Sequence, residues 1–309
     1  MTISAKYVLH GIVNGANFVS LIENSRVSPE CEVLLSTPAG LPYPMNATIP
    51  SVKPLVTFET EQLATLLGLG GTNGVHLIDL SAGNTDIYFK KTKNLSTREP
   101  DASPVHQRYR AAMACLSVDR ITAGDKRPAR AFCTLYAIYN GAAVPLVYTG
   151  SVALAGTPAS ADRWFQGPVK ITDTIPTTVT IAGVQESTID FQRRVVIGTG
   201  DGEQYATHAY EQETSPILSA AGFDMILPTI GSGVELTDGK WYLRRYKKTG
   251  PYADGDAQHI LIDLGSALAT VEEATGGGNQ DAMTRLRVTA LTSNPAADPL
   301  TITTGSMIT

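Results

Sequence analysis

A shift of 154 residues lays the second half of this 309-residue chain over the first. Glu59-Thr60 falls on Glu213-Thr214, Leu63 on Ile217 and Gly68 on Gly222. Tyr88 falls on Tyr242, Lys90-Lys91 on Arg244-Arg245 and Lys93 on Lys247. Asn140-x-Ala142-Ala143-x-Pro145-Leu146 meets Asn294-x-Ala296-Ala297-x-Pro299-Leu300. With a one-residue slip His106 meets His259, and Thr149-Gly150-Ser151 meets Thr304-Gly305-Ser306. One offset shared by such unlike segments marks a tandem duplication. It predicts two domains, 1–154 and 155–309, joined by the small, polar stretch Ala155 to Ala161. So short a link implies that they pack side by side.

Charge is shared unevenly, with 13 basic and 11 acidic residues in 1–154 against 11 and 18 in 155–309. Copies of opposite net sign would dock head to tail; drift of exposed charge accounts for the split equally well. Charged residues are only 17% of the chain, too few for a disordered tail or a coiled coil. With no Lys/Arg block longer than two, non-specific DNA binding has no electrostatic footing. Abundant Gly and Pro, with Thr, Val and Ile in short runs, indicate a β-rich protein full of turns. No apolar stretch reaches the ~18 residues of a membrane helix. Met1 to Lys6 lacks the regions of a signal peptide, so synthesis in a cytoplasm and no membrane partner are expected. Cys31, Cys115 and Cys133 have neither disulfide-framework nor zinc-motif spacing and read as reduced thiols.

Strands are expected at Lys6–Leu9, Glu32–Leu35, Thr177–Ile181, Thr188–Phe191, Ala131–Ile138 and Leu286–Leu291. The last two each lead through an Asn turn into a closing strand, Pro145–Tyr148 or Pro299–Ile302, as a hairpin. One short helix is expected per half. Thr60 caps Glu61–Leu67 with Gly68 as the stop; Ser215 and Pro216 open Ile217–Ala221, ended by Gly222. The fold class is therefore mainly β: two tandem copies of a β-sandwich or barrel domain, each with one short packed helix and a long projecting loop.

Chemistry finds little support. Gly68–Gly74 follows a helix, whereas a phosphate cradle follows a strand and opens a helix. Gly198–Gly202 reads as a hairpin turn and Gly276–Asn279 as a loop tip. None of the five histidines has metal-ligand spacing, and His106 and His259 recur in equivalent places, which favours a structural or interface role. No nucleophile elbow exists, and the one adjacent acidic pair, Glu272-Glu273, sits beside an exposed-looking loop. No catalytic residue, metal or cofactor is expected. The basic runs repeat: Lys90, Lys91, Lys93 and Arg98 in one half, Arg244, Arg245, Lys247 and Lys248 in the other. Each follows an aromatic strand and leads into a long loop, Asn94–Pro104 or Thr249–Ala257. These eight are the candidate inter-subunit contacts; the bland alternative is a solvated strand end with gatekeeping charges.

A unit of this size with one short helix and one long arm resembles the tail-tube fold of tailed bacteriophages. Thr57 to Gly68, the arm Ile87 to Pro104 and the closing segment Asn140 to Leu154 carry the resemblance. The resemblance implies a major tail tube subunit with no catalytic residues, assembled in the host bacterial cytoplasm and residing in the virion tail. Where the family fuses two copies, three chains make a pseudo-sixfold ring. Rings stack around a lumen that conducts DNA without sequence specificity. The implied partners are further copies of the chain and other tail proteins, such as the tape measure and the terminator. Loops such as Asn94 to Pro104 are then expected to bridge rings, and their deletion to block polymerisation while leaving folding intact. Two alternatives stand beside it: a duplicated jelly-roll capsid or capsid-decoration protein, and a duplicated carbohydrate-binding module, which clusters of exposed Trp would favour, whereas the chain has only Trp164 and Trp241.

Overall fold

Buried and half-exposed residues alternate along Leu55–Thr60 and Arg130–Ile138, as strands with one face on a core require. The computed structural model describes residues 6–20, 22–39, 42–71, 74–93, 97–98, 100–156, 163–173, 178–181, 183–200, 202–223, 234–277, 280–292 and 297–309. The first half contains β1 (Lys6–Asn14), β2 (Asn17–Val19), β3 (Ile22–Ser28), β4 (Cys31–Ser36), β5 (Asn46–Val52), β6 (Leu55–Thr60) and helix α1 (Leu63–Leu67). A 3-10 turn (Leu69–Gly71) precedes β7 (Ile78–Asp79), β8 (Thr85–Lys93), β9 (Thr97–Arg98), β10 (His106–Ala111), β11 (Met113–Gly124), β12 (Arg130–Ile138) and β13 (Val147–Val152). The second half opens with β14 (Arg163–Asp173), β15 (Thr178–Ile181), β16 (Val184–Asp190), β17 (Arg194–Gly198), β18 (His208–Glu213) and β19 (Ile217–Gly222). It closes with β20 (Val234–Lys247), β21 (Gly250–Pro251), β22 (His259–Asp263), β23 (Ala267–Gly277), β24 (Gln280–Ala290) and β25 (Thr301–Ser306).

The chain is mainly β and antiparallel, and the same pairings occur in each half. The series β13-β10-β8-β1-β2 forms one layer of the first half; β25, β22, β20, β14 and β15 pair in that order in the second. The series β11-β12-β6-β3 is matched by β23-β24-β19-β16. β16 then pairs with β11, so the second series continues the first as one row of eight strands across both halves. Ile12 and Ile87 from one layer and Val56, Val118 and Leu135 from the row belong to a single core cluster that also holds Trp241, Ile262 and Val288.

Several expectations need correction. Ile217–Gly222 is strand β19, not a helix, and it pairs with β16 on one side and β24 on the other. Alanine's helix preference is a fraction of a kcal/mol per residue, whereas two flanking strands satisfy the segment's backbone completely. Among the described residues the only helical turns are α1 and Leu69–Gly71. Thr60 does not cap α1 either. Gln62 is the N-cap and makes no side-chain cap bond, while Thr60 Oγ1 accepts from the Gln62 N–H (3.1 Å) and donates to the Ser20 carbonyl (2.7 Å). Since β6 flanks β12 as β19 flanks β24, Leu55–Thr60 stands where Ile217–Gly222 stands, so the match of Glu59-Thr60 to Glu213-Thr214 is out of register. The closing segments are not hairpins: β13 leaves β12 to pair with β10, and β25 leaves β24 to pair with β22. Glu272-Glu273 lies within β23. Asn294–Ala296, Thr177, Gly278-Asn279, Thr72-Asn73, Asp201 and the linker residues Thr157–Ala161 lie outside the described residues.

The cysteines test the layering. Cys115 and Cys133 are buried, and burial pushes the Cys115 thiol up to about 12 and the Cys133 thiol well above its ordinary value; Cys31 is exposed on β4. A thiol reagent at pH 8 is expected to label Cys31 alone in the folded chain and all three cysteines in denaturant. Separately, Leu135→Ala should remove about 2–5 kcal/mol by leaving a cavity between the layers, read from urea unfolding.

Candidate functional site

The two basic runs lie at the ends of β8 and β20, and the loops that follow are tied back to their own strands. In the first half the Lys91 N–H donates to His106 Nδ1 (3.0 Å), and His106 Nε2 donates to the Pro100 carbonyl (3.1 Å). In the second the Arg245 N–H donates to His259 Nδ1 (3.1 Å), and His259 Nε2 donates to the Ala253 carbonyl (2.9 Å). Both rings are fully buried. A ring that accepts at Nδ1 and donates at Nε2 is the neutral tautomer, so each histidine is a pin that bonds the strand on one side and the loop on the other. The first basic residue of each run adds an ion pair: Lys90 with Asp101, and Arg244 with Asp254 (2.5 Å). The Asp101 carbonyl accepts from Leu154 N–H (3.0 Å) and the Asp254 carbonyl from Ile308 N–H (2.8 Å).

The eight candidate contacts therefore divide. Lys90 and Arg244 are engaged with their own loops. Arg245 bonds Gln258 and lies 5.6 Å from the Trp164 ring and 5.3 Å from that of Tyr252, which Lys247 also approaches (5.1 Å). Lys91 is half-buried and Lys248 exposed. The side chains of Lys93 and Arg98 lie outside the described residues, as do residues 94–96 and 99 of the expected arm. Deleting Asn94 to Pro104 would strip the Pro100 carbonyl from the buried His106 and Asp101 from Lys90, so that variant would not leave folding untouched.

The segments that stand off the two layers are the hairpins β4–β5 and β17–β18, each a separate two-stranded sheet. Their origin is local: Glu30 (φ 41°) and Gln192 (φ 45°), both in the left-handed region, turn the chain out of β3 and β16. The second hairpin is seated on the first half. Arg193, with a fully buried side chain, donates to the carbonyls of Gly74 (3.0 Å), Val75 (2.6 Å) and Val118 (3.2 Å), and its Nε lies 3.3 Å from the Glu211 carboxylate. Desolvation lowers the Arg193 pKa, and the Glu211 charge opposes that shift. Glu211 also accepts from the Leu77 N–H (2.9 Å). Tyr139 N–H donates to the Ala206 carbonyl (2.7 Å), and the Tyr139 and Tyr205 rings lie 5.5 Å apart.

Beside this clasp runs the junction itself, with Arg120 to Gly124 of β11 opposite Asp190 to Glu186 of β16. Asp119, at the bulge that precedes the pairing, accepts from Ser117 and Thr134 hydroxyls (2.6 and 2.7 Å) and, through its carbonyl, from Phe191 N–H (3.0 Å). Arg120, Asp119, Asp190, Glu59 and Phe132 line a cleft of about 440 Å³ on the bare face of the row, with the Arg120 guanidinium 3.9 Å from the Phe132 ring centre. Among the described residues the two ends of the row are open: β3 pairs only with β6, and the Glu273–Gly277 part of β23 pairs only with β24. A bulge at Glu272 precedes it as Asp119 precedes the paired part of β11.

Sequence reading missed Arg193 and the hairpin β4–β5, of which it gave only the strand Glu32–Leu35; the hairpin turn it expected from Gly198 is where β17 leaves for β18. Arg193-Arg194 is one more basic pair in a chain that has several, and only the described fold puts carbonyls around one of them. The exposed apolar run Val33–Leu35 reads as a core strand, because exposure cannot be told from hydrophobicity alone. No protein-family model matches the chain, and no curated protein matches it.

Two outcomes test the clasp and the pins. Arg193→Ala leaves Glu211 and the loop carbonyls without their buried partner and is expected to cost about 3–5 kcal/mol, measured by denaturant unfolding. Asp101 has its pKa lowered by the hydrogen bond from Lys90. That pin contributes fully above the ordinary carboxylate range and is lost as the pH falls through the depressed folded value. Amide exchange at Ser103 and Leu154 is therefore expected to rise selectively as the pH drops below about 4, after correction for intrinsic rates.

Proposed function

We propose that this chain is a self-assembling structural subunit, built from two copies of one β domain, and that it forms a tube of stacked rings as a major tail tube protein of a long-tailed bacteriophage. The observation that carries the reading is the match between the internal junction and the open ends. β11 receives β16 head to tail, while β23 stands where β11 stands and β3 where β16 stands. Repeating the junction between chains sets Glu273 opposite Ser28, Ala274 opposite Val27 and Thr275 opposite Arg26. A heterologous contact of this kind propagates until the rotation closes a ring. Strand edges left open in a folded domain are templates for such pairing. Three chains supply six alternating domains, in keeping with the resemblance.

On this reading the eight-strand row becomes the wall of a barrel, since the second layer covers its other face. Its bare face carries Glu59, Asp119, Glu186 and Asp190 together with Arg120, Arg285 and Arg287. The channel is thus lined by charges of both signs rather than by acid alone, and DNA passes it without a continuous basic track to hold it. The carbohydrate-module alternative loses its support, because Trp164 and Trp241 are both buried.

Negative-stain microscopy of the purified chain is expected to show tubes or stacked rings. Neighbouring N–H groups along a strand point to opposite sides, so of Ala274→Pro and Thr275→Pro one removes an edge-facing N–H and spares the pairing to β24. That variant is expected to melt like the parent and to sediment as single chains. Tubes from every folded variant of the pair would refute edge pairing.

A further inference from the structure

The hairpin β4–β5 ends in solvent, and the structure contains a pattern for what covers it. Its register (Leu34 opposite Thr48, Leu35 opposite Ala47, Ser36 opposite Asn46) repeats in β17–β18, where Val196 faces Tyr210, Ile197 faces Ala209 and Gly198 faces His208. The tips, 37–45 and 199–207, are of equal length. Tyr43 therefore stands where Tyr205 stands. Tyr205 meets Tyr139 of the first half; Tyr43 is 76% exposed, and Leu35 is 63% exposed where its counterpart Ile197 is half-buried.

The surface that β17–β18 covers has a bare counterpart as well. Ala209, Tyr210 and Glu211 of that hairpin share a cleft with Cys115 and Ile138, which are only 8% and 3% exposed. Cys115 lies opposite Asp79 and Tyr136, as Leu268 lies opposite Glu235 and Thr289. By the same register Leu291 takes the place of Ile138. Leu268 is 37% and Leu291 45% exposed. An uncovered apolar hairpin and an uncovered apolar floor thus occur on one chain, each corresponding to one side of a contact the same chain makes internally.

We propose that the β4–β5 hairpin of one copy seats on the floor formed by β23 and β24 in the second half of a neighbouring copy, covering Leu268 and Leu291. This rests on the head-to-tail reading above and adds the surface that clamps the joint. The two clasps differ in chemistry. Inside the chain the anchor is the Arg193–Glu211 pair; between chains the same positions are Cys31 and Ile49, so that contact is apolar. A β17–β18 hairpin seated on the wrong floor would bury the Arg193 guanidinium without the Gly74, Val75 and Val118 carbonyls that it bonds here, which keeps the halves alternating.

The test mixes two single variants in a Cys31→Ser background, Thr48→Cys and Leu268→Cys, and treats the assembled mixture with a short bismaleimide. Cross-linked pairs are expected in the mixture and not with either variant alone. In parallel, Leu35→Asp and Leu268→Asp, both at positions exposed in the single chain, are expected to leave its melting unchanged and to raise the concentration needed for assembly by at least about tenfold. Normal assembly of both aspartate variants without a mixed cross-link overturns the hairpin contact while leaving edge pairing intact. A parent chain that stays dispersed overturns the assembly reading itself.

Discussion

The backbone pairing of β11 with β16 is the constraint from which the rest follows. Two four-strand series become one row because the second half of β11 exposes an edge that β7 does not cover, and β16 fills it. Such pairing is strict about register: a slip by one residue would turn every side chain of β16 to the opposite face. Ile121 and Ile189 lie opposite each other, both fully buried, and Arg120 lies opposite the exposed Asp190. The apolar pair and the charged pair therefore set the register from both faces.

Around that junction the halves use matching geometry with different chemistry. The loop pins are nearly identical, since a neutral imidazole bridging an N–H and a carbonyl works wherever a buried strand end must hold a loop. The hairpin bases are not. Arg193 donates to the carbonyls of Gly74, Val75 and Val118, and Cys31 at the matching position has no guanidinium fork to make such bonds.

Much of the fold was legible in the sequence. Mainly β character, the strands at Lys6, Ala131 and Leu286, and the repeated histidine and basic positions could be read directly. So could the structural character of His106 and His259, because residues pinned by their own loop recur with that loop. The parts that misled share a cause. Ile217–Ala221 has the composition of a helix and Pro145–Tyr148 the position of a hairpin strand, yet each pairs with strands distant in sequence. Local preferences of tenths of a kcal/mol yield to a full set of backbone hydrogen bonds.

What the chain determined by itself is therefore periodic and local: alternation for strands, turn residues between them, and motifs that repeat at matching positions. Tertiary structure alone decided which Val-Leu-Leu run stays in solvent, which arginine is buried, and which strand edges remain open. Those are properties of neighbours brought together from far along the chain, and a residue's own chemistry does not specify its neighbours.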